Sequence, residues 1–213
     1  MKRKLYLLSA LLVVSFIVST AVTAILVGVK KGDWIEYQAV FTGTPPVGHE
    51  VTWARTEVLD VQGTIIDLNV TTKFANGTLW YETITLNLAV GQLGDEFIIP
   101  ANLDVGDTFF DKYHGNVTIS KIEKRTYSGV TRTVISATTA QSTYYWDQAT
   151  GVLVEGISKF PDYTIHSIVE KTNMWQPQIF GLEPTVFSTL LILATILIVV
   201  ALALLMIRGR KKH

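Results

Sequence analysis

Cysteine is absent from the 213 residues of this chain. That excludes disulfide pairing, thiol chemistry, cysteine-zinc sites and lipid attachment through a cysteine. Also missing are a G-x-S-x-G elbow, a phosphate-binding P-loop and a glycine fingerprint after a strand. Histidine is scarce. His49, His114 and His166 are isolated without zinc-type spacing, and His213 is terminal. No pair of carboxylates singles itself out for glycoside hydrolysis. The expectation is a non-catalytic protein with no cofactor and no metal. An acidic group, Asp104, Asp107 and Asp111 with Asp95 and Glu96 nearby, matches no EF-hand loop. Aspartates in turns commonly cap their own backbone instead.

Negative charge is missing from both ends. All 18 Asp and Glu residues lie in 29–184, against 11 Lys and Arg, a net charge of −7 for that stretch. The remaining positives are Lys2, Arg3 and Lys4 at one end, and Arg208, Arg210, Lys211 and Lys212 at the other. An acidic central part argues against nucleic acid as a partner.

What the ends do have is apolar sequence. Thr185 to Ile207 contains 23 residues without a charge. As a helix it would cover about 35 Å, enough for the ~30 Å hydrocarbon core of a bilayer. The basic residues that follow mark the cytoplasmic side. At the other end, Lys2-Arg3-Lys4 precedes an uncharged run from Leu5 to Val29. This start reads as a signal peptide, with Ala21 or Ala24 closing a cleavage site, or as an uncleaved transmembrane helix. The division expected is 1–28 signal or helix, 29–172 β-rich extracellular domain, 173–184 membrane-proximal stalk, 185–207 transmembrane helix and 208–213 basic cytoplasmic tail. In the stalk, Trp175 and Phe180 are expected at the headgroup level.

Residues 29–172 alternate with period two. Trp34–Phe41 places Ile35, Tyr37, Ala39 and Phe41 on one face. Thr64–Phe74 is the cleanest strand, with Ile66, Leu68, Val70 and Phe74 opposed to Asp67, Asn69, Thr71 and Lys73. Asn76-Gly77 is a strong hairpin signal, and Leu79–Leu88 returns from it. A second hairpin is expected about Ser128-Gly129. There the apolar phase slips between Ile119 and Ile122, which suggests a bulge or bend. A third turns through Asp147–Gly151, where the glycine supplies a positive φ. About ten strands in an antiparallel meander are expected, all-β, as a curved sheet, half-barrel or sandwich, flanked by hydrophobic helices at both chain ends.

Three N-x-T sequons, at Asn69, Asn76 and Asn116, fall on expected solvent faces or turns and are candidate glycosylation sites. Trp53, Trp80, Tyr81, Tyr144, Tyr145 and Trp146 are aromatic candidates for an apolar ligand pocket in the curved sheet, with Trp53, Trp80, Tyr144 and Trp146 put first.

The stretch Gly28-Val29-Lys30-Lys31-Gly32-Asp33-Trp34-Ile35-Glu36-Tyr37 precedes a β-domain with a C-terminal span and basic tail. In this it resembles uncharacterised archaeal cell-surface proteins, a group with no activity to lend. Tyr144-Tyr145-Trp146-Asp147 through Thr150-Gly151-Val152-Leu153 is similar to a hairpin in lipoprotein-carrier sheets of the LolA type. Those carriers place a half-barrel around a helical lid, and this sequence shows no lid helix. The function expected is binding or structural: a cell-membrane protein with its domain outside, partnered by the lipid bilayer and by a surface-layer or other envelope protein, or by a glycan. The alternatives are an amphiphile-binding module and, last, an envelope hydrolase.

Overall fold

The computed structural model describes residues 25–91, 97–176, 179, 182 and 184–210, with side chains as far as 200. The first apolar run therefore lies outside the described residues, except for 25–29. Asp95, Glu96 and Phe180 lie outside them too.

Eleven strands are present among the described residues: β1 (Trp34–Gly43), β2 (Val51–Gln62), β3 (Ile65–Phe74), β4 (Leu79–Asn87), β5 (Thr108–Asp111), β6 (Gly115–Thr118), β7 (Lys121–Tyr127), β8 (Val130–Thr138), β9 (Ser142–Asp147), β10 (Leu153–Lys159) and β11 (Tyr163–Thr172). Nine form one antiparallel sheet in the order β4-β3-β2-β1-β11-β10-β9-β8-β7, and β5 pairs with β6 separately. The large sheet is open, with β4 and β7 as its edges.

Two meanders, β1 to β4 and β7 to β11, are thus joined where the first strand meets the last. Ile35 lies opposite Thr172, and Gly43 opposite Tyr163. Thr172 Oγ1 donates to the Trp34 carbonyl at 2.6 Å. The Asn173 amide donates to the Gly32 carbonyl at 2.8 Å, and its Oδ1 accepts from Trp34 N–H at 2.8 Å. The chain therefore enters and leaves the sheet side by side at its centre. Local alternation specifies each strand, but it cannot specify this long-range pairing.

Alternation does set the faces. Ile66, Leu68 and Val70 are buried, and Ile66 and Leu68 lie opposite Leu86 and Ile84 of β4. Ile35, Tyr37 and Val58 join them in one core. Burial pushes the Tyr37 phenol well above its usual range. Its hydroxyl donates to the Leu153 carbonyl at 2.8 Å, which satisfies the one polar atom it carries inward.

The chain from β4 to β7 crosses back over the sheet. Ile98 bridges Val152, Ile99 N–H donates to the Gly151 carbonyl at 2.9 Å, and Ala101 N–H donates to the Leu26 carbonyl at 2.8 Å. It then forms the β5-β6 hairpin. Phe109 and Val117 of this hairpin pack with Ile119, Ile135, Leu153 and the fully buried Trp146 in a second core. The Phe109 and Trp146 rings meet edge to face at 5.5 Å. The phase slip between Ile119 and Ile122 marks the step between these sheets: β6 ends at Thr118, and β7 begins in the large sheet at Lys121. One expected strand is in fact two.

The turns follow their sequence signals. Ser128 and Gly129 both have positive φ, 48° and 76°, as a two-residue hairpin loop requires. Gly151 has φ 71°, and a Cβ there would stand well inside van der Waals contact of the Ile99 carbonyl.

Pro184–Arg210 is a helix of 27 residues. Its described large apolar side chains lie open on every side: Leu190, Leu191, Ile192 and Leu193 are 50–60% exposed, and Ile196 to Val200 are 49–69% exposed. Among residues whose side chains are described, no helical stretch is long and apolar enough to cross a membrane. That stretch ends at Val200, ten residues before the helical backbone does.

The segment after β11 returns to the body. Trp175 is only 6% exposed and belongs to the main core. The Arg132 guanidinium lies 4.9 Å from its ring centroid. Residues 173–175 are part of the folded body, so Trp175 is not a headgroup aromatic.

Candidate functional site

The described surface holds a groove lined by two aromatics, Leu79 and polar side chains. It lies on the solvent face of β1–β4 and has a volume of about 670 Å³. Strand pairing builds it in two rows. Gln38, Trp53, Lys73 and Leu79 lie opposite one another across four strands, and Glu36, Arg55, Thr71 and Tyr81 form the next row. Thr52 and Glu170 complete the lining. With strands ~4.8 Å apart and alternate residues ~6.8 Å apart along a strand, Trp53 and Tyr81 stand roughly 12 Å apart on a diagonal, with β3 between them.

The groove's groups differ in how they are engaged. Arg55 is fixed: it donates to Glu36 at 2.9 Å, lies 3.5 Å from Glu57, and covers the Trp34 ring at 4.3 Å. The Trp53 indole N–H, the Tyr81 hydroxyl, the Lys73 ammonium and the Gln38 amide have no hydrogen-bond partner among the described residues. Tyr81 is 63% exposed.

The four aromatics expected to share a pocket do not meet. Trp53 faces the groove. Trp80 is opposite Thr72 on the other face of β4 and is 60% exposed. Trp146 is fully buried, with Tyr144 tilted against it at 5.6 Å between ring centroids. The interior void lined by Val29, Ile35, Tyr37, Val58, Phe97 and Ile98 measures about 10 Å³. That is about the room one water needs, and an acyl chain does not fit there. The groove's other aromatic, Tyr81, is among the aromatics the sequence offers for a pocket. The signal was parity: Tyr81 is out of phase with Ile84 and Leu86, and so shares a face with Thr71 and Arg55.

The buried ionic groups are committed to one another. Glu155 accepts from the Tyr127 hydroxyl and Arg125 Nη1 at 2.7 Å each, and lies 2.9 Å from His166 Nε2. Burial raises its pKa, but the Tyr127 and His166 hydrogen bonds and the Arg125 charge outweigh this and hold it below the usual glutamate value. Burial, with Glu155 adjacent, pushes the Tyr127 phenol up. Asp147 is 1% exposed and accepts from Arg132 Nε at 2.7 Å and Nη2 at 3.0 Å. It also accepts from Thr150 N–H and Oγ1, which closes the β9-β10 loop.

Asp104 and Asp107 cap a turn, Asp107 Oδ2 accepting Asp104 N–H at 2.7 Å. Asp111 accepts from the Tyr113 and His114 backbone N–H groups. Among the described residues, no three His, Asp or Glu side chains converge to hold a metal. His49 meets Tyr163 edge-on, far in sequence from the others. Asn76 and Asn116 are exposed, whereas Asn69 is half-buried on the groove face, opposite Glu57 and Thr83.

No family model and no curated protein matches this chain. Among solved structures it is similar to the siderocalin Ex-FABP, described as functioning through dual ligand specificities. Identity is 11% and the TM-score 0.23, over 65% of this chain and 70% of that one. A score of that size carries no structural or functional argument.

Proposed function

We propose that this chain is a binding domain of the cell envelope, held on the outer side of a lipid bilayer by its C-terminal helix. The observation that carries this reading is the helix itself. Its large apolar side chains from Leu190 to Val200 are exposed, and a helix apolar on every side needs an apolar surrounding. Twenty-seven residues give a length of about 40 Å, which exceeds the ~30 Å hydrocarbon core. Arg208 and Arg210 at its end, with Lys211 and Lys212 after it in sequence, set that end in the cytosol.

The role is binding rather than catalysis. The buried carboxylates Glu155 and Asp147 are spent on arginine and tyrosine partners within the fold. The unspent polar groups instead line the open groove on β1–β4, where a protein or glycan of the envelope docks. An amphiphile would have to use such outer surfaces, since the interior void is about 10 Å³.

Alkaline carbonate extraction of native membranes tests the anchoring. The chain should stay in the membrane pellet, and a version ending at Pro184 should be released. Release of the full chain by carbonate would refute the proposal.

A further inference from the structure

We propose that the groove on β1–β4 binds a carbohydrate chain that carries carboxylates, with sugar rings stacked on Tyr81 and Trp53 and an acidic group at Lys73. This rests on the reading of the chain as a surface binding domain and names its ligand class. Three observations converge on it.

First, the lining mixes aromatic and polar groups. Tyr81 and Trp53 supply aromatic rings, while Gln38, Thr52 and Thr71 supply hydrogen-bonding groups. A sugar ring has the matching duality: one face of C–H groups that packs on an aromatic ring, and a rim of hydroxyls that needs donors and acceptors. A fatty chain would strand the polar groups without partners.

Second, the groove keeps one cation unneutralised on an acidic body. Its charged lining groups are Arg55, Lys73 and Glu170, in a domain whose net charge is −7. Arg55 is neutralised by Glu36 and Glu57. Lys73 has no ion-pair partner among the described residues and stands in the row between Trp53 and Leu79. It is the cation left for a ligand's carboxylate.

Third, the two aromatics are roughly 12 Å apart on a diagonal across the sheet. A single ring cannot touch both, so the groove fits an oligosaccharide. A peptide added along the open edge of β4 would pair with backbone there and would have no use for Trp53 or Lys73, which lie on β2 and β3.

The test uses the full chain in phosphatidylcholine nanodiscs, titrated with a galacturonate hexamer and with maltohexaose, at low and high salt. The galacturonate hexamer should bind saturably and more weakly at high salt, and maltohexaose at least tenfold more weakly still. Lys73→Gln should weaken the galacturonate hexamer at least tenfold and flatten its salt dependence. Tyr81→Ala should weaken both probes at least tenfold. Trp80→Ala removes an equally exposed ring from the opposite face and should leave both unchanged. All three positions are exposed, so each variant should keep the parent's Tm. Absence of saturable binding by either probe would overturn the proposal. So would equal affinity for the two, indifference to Lys73→Gln, or equal losses from Trp80→Ala and Tyr81→Ala. Carbonate extraction is scored separately: a chain that stays in the pellet yet binds no sugar loses only this inference.

Discussion

Replacing Trp175 by alanine separates two views of the segment after β11. If Trp175 sat at the headgroup level, its loss would barely change the stability of the β-body. In the structure it is 6% exposed and packs in the main core beneath Arg132. Truncating a buried tryptophan costs about 3–5 kcal/mol, because apolar contact is lost and a cavity remains. The lower part of that range applies here, for the indole N–H is buried without a partner and its removal recovers some desolvation. For a domain of ~150 residues, about 3 kcal/mol lowers Tm by roughly 6–12 °C. Arg132 keeps its two bonds to Asp147, so the β9-β10 loop should stay closed. Trp175→Phe keeps most of the packing and removes the unpaired N–H, so it should cost less than half as much. The assay is thermal unfolding of the full chain in detergent, followed by near-ultraviolet circular dichroism. A Trp175→Ala variant that melts within about 2 °C of the parent would refute the packing described for the exit from β11.

Three further outcomes follow from the geometry. Glu155 has a depressed pKa, so its stabilising contribution is complete above the ordinary glutamate value of 4.5 and is lost as pH falls through the lower folded value. Glu155→Gln should therefore cost about 1.5–3 kcal/mol at pH 7, with a gap from the parent that narrows in urea titrations below pH 4. Gly151→Ala combines a positive φ with a clash against the Ile99 carbonyl, and should lower stability by more than the ~1 kcal/mol of a mere conformational mismatch. Asn76 is an exposed sequon at the tip of the β3-β4 hairpin, so Asn76→Gln should remove one glycan-dependent step in gel mobility from protein made in its own cells.

The parts of this fold legible from sequence are those written in neighbouring residues. In β3, Ile66, Leu68 and Val70 go inward while Asp67, Asn69 and Thr71 face out, because a pleated strand turns alternate side chains to opposite faces. Ser128-Gly129 and Gly151 announce their turns through the backbone angles they tolerate. What sequence hides is set by distant partners. Nothing local says that β1 pairs with β11, or that the chain around Ile119 leaves one sheet for another. Trp175 was misplaced for the same reason. An aromatic ten residues before an apolar run looks interfacial, and only Arg132 and the core beneath reveal where it goes. The groove was half legible: Trp53, Trp80 and Tyr81 all stand among the aromatic candidates, but only Trp53 and Tyr81 share its face. Parity along β4 decides that, not aromatic size.

The sidedness of the chain can be measured directly, since it has no cysteine to interfere. Single cysteines are placed at Val47, which is 94% exposed in the β1-β2 loop, and at His213, and intact cells are treated with a membrane-impermeant maleimide. The cysteine at 47 should label at once, and the one at 213 only after the membrane is permeabilised. Labelling of both in intact cells, or of 213 alone, would contradict an outward-facing β-domain on a cytoplasm-directed helix.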